Sequence, residues 1–193
     1  MVKHPDLHAY YAAFFPLPEQ DWEKLEQHAR EVRIDKGDSL IRTQEPTPFA
    51  YALLSGIARN FYTTLEGREY TKIFLTKGQI VSPYIENITG IAPRSTVEAL
   101  TDITALRIPF DDLIEVLEST PDLVRLHLRL IQSFYVLKEK REYELLTLNA
   151  TQRYALFLEE FADYIDLIPN MHIASYLGIT PVSLSRLRRG LSI

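Results

Sequence analysis

The chain has 193 residues, 46% of them hydrophobic, with 21 basic residues against 26 acidic ones, a net charge of −5 and no cysteine. That size suits one large domain or a domain with a small module, and the missing thiols exclude disulfides, sulfur redox switches, cysteine zinc sites and cysteine-held iron–sulfur clusters. No apolar run approaches the ~20 residues that span a bilayer, and the opening MVKHPDLHAYYAAFF lacks a secretory leader's apolar centre, so the reading is a cytoplasmic protein without a membrane partner.

A helix is predicted over Pro18 to Arg30. Short β-rich runs follow at Ser39 to Ile41, Tyr51 to Leu54, Ala58 to Thr64, Tyr70 to Leu75, Gln79 to Val81, Thr96 to Leu100 and Thr104 to Pro109. Turn residues separate them: Lys36-Gly37-Asp38, Ser55-Gly56, Glu66-Gly67-Arg68 and Lys77-Gly78-Gln79. Many short strands at this spacing predict a small antiparallel barrel or roll, whose mouth is a usual place for a small ligand.

After Pro109 the period becomes helical. Phe110 to Glu118 makes one short helix, and Pro121 opens a long one to about Leu148. Leu123, Leu130 and Leu137 recur at seven-residue steps along it, with Leu126 and Phe134 near the same stripe. Such a stripe packs either on a second copy of the chain or on the chain's own barrel; the first reading makes Leu123, Leu126, Leu130, Phe134 and Leu137 a dimer interface.

A third helix is expected over Thr151 to Tyr164, with Tyr154, Phe157, Leu158 and Phe161 on one face, then a break over Asp166 to Pro169. The closing stretch NMHIASYLGITPVSLSRLRRGLSI, Asn170 to Ile193, has the pattern of a helix-turn-helix. Ile173, Leu177, Ile179, Leu184 and Leu187 supply the shared apolar core, Ala174 the close crossing and Gly178 the turn. Thr180 suits the cap of the second helix and Pro181 its first turn. Val182, Ser183, Ser185, Arg186, Arg188 and Arg189 then face away, where a recognition helix meets a major groove.

Charge is segregated in the same sense. Leu167 to Ile193 holds three arginines and no acid, leaving 18 basic and 26 acidic residues elsewhere. Phosphate affinity follows the local face rather than the sum.

The five histidines, at positions 4, 8, 28, 127 and 172, show no metal-like grouping beyond the His4 and His8 pair, read as solvated. No phosphate loop, nucleophile elbow or metalloprotease motif is present. The expectation is a non-enzyme with no catalytic residues, no metal and no cofactor.

The order of roll, long helix and helix-turn-helix resembles the catabolite-activator and fumarate-nitrate-regulator (Crp/Fnr) family of bacterial transcription regulators. The matching parts are Lys36-Gly37-Asp38, the run Tyr51 to Arg59, Gly78-Gln79-Ile80, Arg94-Ser95 before Thr96 to Leu100, and the terminal motif. The resemblance implies an α+β chain with a cyclic nucleotide-binding-like roll over residues 1–118, a dimerisation helix over 119–148 and an all-α helix-turn-helix module over 149–193. It further implies a homodimer on double-stranded DNA, a small-molecule effector in the roll and RNA polymerase as a partner.

Two departures stand out. Cyclic nucleotide binders of the family begin their ligand cassette with Gly-Glu; here it starts Ser82-Pro83-Tyr84, with proline in the glutamate's place, while Arg94-Ser95 survives at its end. Losing that ribose acceptor removes a charge-assisted hydrogen bond of ~1.5 to 3 kcal/mol, so the pocket, with Ser82, Tyr84, Arg94 and Ser95 as candidate contacts, is degenerate and cyclic AMP is disfavoured. Arg94 is left for another anion or a carboxylate of the protein itself. Family members also carry a β-hairpin wing, for which the residues around this motif leave no room; phosphate anchoring then rests on Arg188, Arg189 and the module's first helix. Thr180 and the outward side chains Val182, Ser183, Ser185, Arg186, Arg188 and Arg189 form the expected DNA surface, Arg186 on a guanine and Val182 on a thymine methyl. The competing function is a ligand sensor or interaction module whose terminal helices contact protein, favoured by the acidic bulk. Effector control is expected to swing the module about a hinge from Leu148 to Thr151.

Overall fold

A computed structural model describes residues 5–12 and 15–190. His4 and the last three residues of the terminal motif lie outside the described residues. Two short helices, α1 (Pro5–Ala12) and α2 (Glu19–His28), lead into β1 (Arg30–Ile34), β2 (Ser39–Ile41), β3 (Phe49–Ser55), β4 (Ala58–Thr63), β5 (Glu69–Leu75) and β6 (Ile80–Val81). Then come α3 (Tyr84–Thr89), β7 (Thr96–Ala99), β8 (Ile103–Pro109), α4 (Phe110–Glu118), α5 (Pro121–Thr147), α6 (Ala150–Glu160), a 3₁₀ segment (Ala162–Leu167), α7 (Asn170–Leu177) and α8 (Pro181–Gly190).

The strands form two antiparallel sheets, ordered β1-β8-β3-β6 and β2-β7-β4-β5. One face of each sheet closes on a shared core of Leu40, Ile41, Leu53, Ala58, Leu75, Val97, Ile103 and Ala105. Strand β1 went unread in the sequence because only Val32 and Ile34 of its five residues are apolar. Gly56 turns β3 into β4 at φ +84, where a Cβ would sit 2.4 Å from the Asp102 carbonyl oxygen. Only glycine fits there. His8, expected to be solvated, places Nε2 2.8 Å from Glu26 Oε1 and stacks on Trp22.

Helix α5 begins with the Thr120 side chain accepting from the Leu123 amide and Pro121 in the first turn. Its 27 residues extend ~40 Å at the helical rise. Leu123 and Leu126, expected at a dimer interface, are instead buried against Val116 and Leu117 of α4 within the same chain. Leu130 is half-buried against the same surface, and Leu137 is half-buried while Phe134 is exposed. The heptad stripe therefore begins as an intramolecular seam, because the short α4 covers the first two turns. Among the apolar side chains that α5 leaves outward, Val124, Leu128, Ile131, Phe134 and Tyr135 are spaced as one face of a helix.

Asn149 opens α6 with a reciprocal capping box with Gln152. The helix ends at Glu160, not at Tyr164, and passes through Phe161 into the 3₁₀ segment, which overlaps the expected break. Tyr154, Phe157 and Phe161 are buried as expected, Leu158 partly. Their core is not confined to the terminal helices: Ile57, Phe74 and Leu100 of the roll belong to it. Phe74 meets Phe161 at 5.5 Å and Tyr176 at 5.4 Å between ring centroids.

Candidate nucleic-acid interface

Helix α7 stops where Gly178 takes φ 68. The Gly178 amide donates to the Ser175 carbonyl at 3.2 Å and the Ile179 amide to the Ala174 carbonyl at 3.0 Å. This pair of bonds satisfies the last carbonyls of the helix and needs a left-handed residue at the glycine. Thr180 then caps α8, its hydroxyl oxygen accepting from the Ser183 amide at 3.1 Å. Ile173, Ala174, Leu177 and Leu184 are all but fully buried and lock the two helices together. The apolar pattern of the terminal motif is thus realised residue by residue.

The outward residues fall into two groups. Val182 is 60% exposed, and Ser183, Ser185, Arg186 and Arg189 are exposed around it. Arg186 makes no hydrogen bond or ion pair with any described residue, and Arg189 makes a single 3.5 Å contact to the Ser185 carbonyl. Arg188, expected to face DNA, turns inward. Its Nε donates to the Tyr154 hydroxyl at 2.8 Å and one Nη to Asn170 Oδ1 at 2.6 Å. Sequence periodicity could not reveal this, because a long arginine reaches sideways to whatever acceptor its neighbours offer. Thr180 likewise spends its hydroxyl on the cap.

The module is fastened to the rest of the chain on two sides. At the edge of the second sheet the Ser175 hydroxyl accepts from the Thr71 amide at 2.9 Å and donates to the Glu69 carbonyl at 3.1 Å. Beside it the buried Arg59 pairs with Glu69 at 2.7 Å. Burial, and then the Arg59 guanidinium, hold the His172 imidazole below its ordinary pKa, with Glu69 opposing. From α5, Arg141 lies over the Tyr176 ring at 3.7 Å and bonds the Tyr176 carbonyl. Arg153 donates to the carbonyls of Leu177 and Leu148. Neither Ser175 nor Phe74 carried a sequence signal.

The four candidate effector contacts have different surroundings. Ser82 has a buried hydroxyl with no hydrogen-bond partner among the described residues. Tyr84 points into a groove of about 520 Å³ shared with Phe110, Ile114, Glu118 and His127, where its hydroxyl meets His127 Nε2 at 3.0 Å. Arg94 is exposed and makes no contact with a carboxylate of the described chain, and Ser95 is half-buried. Tyr84 is therefore corrected from a candidate lining the roll's pocket to a residue between α3, α4 and α5.

Comparison with known proteins gives a consistent picture. Residues 31–120 match the cyclic nucleotide-binding domain family. The chain is 27% identical over 187 residues to the anaerobic regulatory protein of Haemophilus influenzae, covering 90% of this chain and 71% of that protein. Among solved structures it resembles FixK2 from Bradyrhizobium japonicum at TM-score 0.74 and 20% identity, over 85% of this chain and 84% of that one. A putative transcriptional regulator of the Crp/Fnr family from Eubacterium rectale matches at TM-score 0.74 and 18% identity, over 95% and 88% of the two chains. The relatives so matched by sequence are regulators, and among the described residues no helix is long and apolar enough to cross a membrane.

Proposed function

The chain belongs to the Crp/Fnr family of transcription regulators, and from that premise we propose that it acts as a homodimer binding double-stranded DNA sequence-specifically through α8. The observation that carries this is the capped, buried-core helix pair whose outer face leaves Val182, Ser183, Ser185, Arg186 and Arg189 unobstructed. Arg186 is placed on a guanine edge and Val182 on a thymine methyl, the pairings that groove geometry favours. Residues 149–193 form the DNA-binding module, 119–148 the dimerisation helix and 1–118 the sensor roll. The dimer face is the outward stripe of α5, Val124, Leu128, Ile131, Phe134 and Tyr135, rather than Leu123 and Leu126. Two recognition helices then address major grooves about 34 Å apart. The effector pocket is degenerate and does not take cyclic AMP, since Pro83 supplies no acceptor for a ribose. Arg94 is free for an anionic effector. RNA polymerase is the partner through which the bound dimer alters transcription.

Selection of bound sequences from a random duplex pool tests the reading. A palindromic consensus is expected, with affinity falling by orders of magnitude between 50 and 200 mM salt and lost in Arg186→Ala. Recovery of unselected sequence at every salt would leave the terminal helices as a protein-contact module.

A further inference from the structure

The inward turn of Arg188 gives this arginine a task different from its neighbours'. It stands in the last turn of α8, yet two of its three guanidinium nitrogens are engaged within the module, on the buried Tyr154 of α6 and on Asn170 at the start of α7. These two bonds take the Nε–H and one Nη N–H of Arg188, so the side-on fork through Nε is closed to a phosphate or a guanine and the remaining N–H groups are held where Tyr154 and Asn170 fix them. Its partner Tyr154 is 2% exposed, stacks at 6.5 Å on Phe157 and lies 5.6 Å below the Arg188 guanidinium. One side chain thus ties together all three helices of the module.

We propose that Arg188 is a positioning residue: through Tyr154 and Asn170 it fixes the angle at which α8 crosses α6 and α7, and so sets where Val182 and Arg186 meet base edges. This rests on α8 being the DNA-reading helix. The apolar contacts of Leu184 and Leu187 alone would let α8 roll about its axis, since methyl groups pack in more than one rotation. Two directed hydrogen bonds at the far end remove that freedom. Sequence discrimination therefore depends on a buried phenol that cannot touch DNA.

The test uses the full chain with Arg188→Ala, Arg188→Lys and Tyr154→Phe, and Arg186→Ala as the contact control. Each is titrated, at several salt concentrations, with its selected duplex and with an unrelated duplex. The expected result is that Arg188→Ala and Tyr154→Phe lower the ratio of specific to unrelated affinity at least about fivefold, the scale of one base contact, while the salt slope stays as in the wild type. Lysine at 188 should not rescue, because an ammonium keeps the charge but not the two-point geometry. The proposal is overturned if Arg188→Ala reduces the slope by about 0.9 for each phosphate released, if lysine restores it, and if Tyr154→Phe behaves as wild type. Hydrogen exchange on the free protein separates this from failure of the DNA reading. Amides of residues 187 to 190 should exchange faster in Arg188→Ala and Tyr154→Phe, and not in Arg186→Ala, whether or not any duplex binds. Unchanged exchange would dispose of the clamp.

Discussion

Phe74→Ala probes how the terminal module is held. Phe74 is 1% exposed on the edge strand β5, and its ring contacts Phe157, Phe161 and Tyr176, all from the C-terminal helices. Truncating a buried phenylalanine costs ~3–5 kcal/mol, a large share of the ~5–15 kcal/mol that holds a typical protein folded. For a chain of this length each kcal/mol lowers the midpoint by ~2–4 °C, so the melting temperature should fall by about 6–20 °C. Because the lost ring contacts all cross from roll to module, the loss should also be spatially uneven. The Thr71 amide, which donates to the Ser175 hydroxyl, should lose protection in hydrogen exchange together with α7. The Ala105 amide, deep in the opposite sheet, should keep its protection. If Thr71 stays protected while the midpoint falls, the aromatic cluster is not what docks the module, and Arg141 and Arg153 hold it without help from β5.

Glutamates at Leu128 and Ile131 should convert the dimer to monomer in sedimentation without lowering the melting midpoint, whereas Leu123→Ala should cost ~2–5 kcal/mol and leave the stoichiometry alone; a dimer that survives both glutamates would place the interface elsewhere. His172 is held below its ordinary value of 6.5 by burial, so the unfolded chain takes up that proton first as pH falls. Its contribution is complete above 6.5 and is lost below it until the folded imidazole titrates too. Denaturant titrations at pH 7.5 and 5.5 should therefore show a smaller difference in His172→Gln than in the wild type, with His127, also held low by burial, supplying the remaining slope. Gly178→Ala meets no closer atom than Leu145 Cδ2 at 3.7 Å, so its cost is the left-handed backbone at φ +68, roughly 1–2 kcal/mol. A midpoint unchanged by that substitution would mean the turn relaxes to another conformation.

What could be read in the sequence was whatever depended on neighbours along the chain. The capped turn from Leu177 to Thr180 was legible because αL backbone selects glycine and an open helix start selects threonine and proline. Seven strands were legible from alternation and turn residues, to within one or two positions. The failures have a common cause in contacts between distant segments. Leu123 and Leu126 lie on one heptad stripe whether their partner is another subunit or α4, and periodicity is blind to the difference. Arg188 has the same local surroundings as Arg189, and only the approach of Tyr154 from α6 sets it apart. Phe74 read as an ordinary strand residue, since nothing near it announces the helices that cover its side chain.

The same long-range contacts bear on how an effector signal could reach DNA. A free swing about Leu148 to Thr151 requires that nothing bridge the two sides, yet Arg141 from before the joint holds Tyr176 beyond it, and Lys140 reaches Glu160 at 3.0 Å. Arg153 binds Leu148 and Leu177 at once, which ties the joint to the end of α7. The last two turns of α5 and the module therefore move as one body, and its outer boundary is the contact of α7 with β5. Two alternative seats for that body are needed for any ligand to shift the recognition helices, because a ligand biases only states it binds unequally. One seat is the Ser175 and Phe74 dock, held by two directed hydrogen bonds and an aromatic cluster. A signal arriving through the roll must act on β5 itself, or it leaves α8 where it stands.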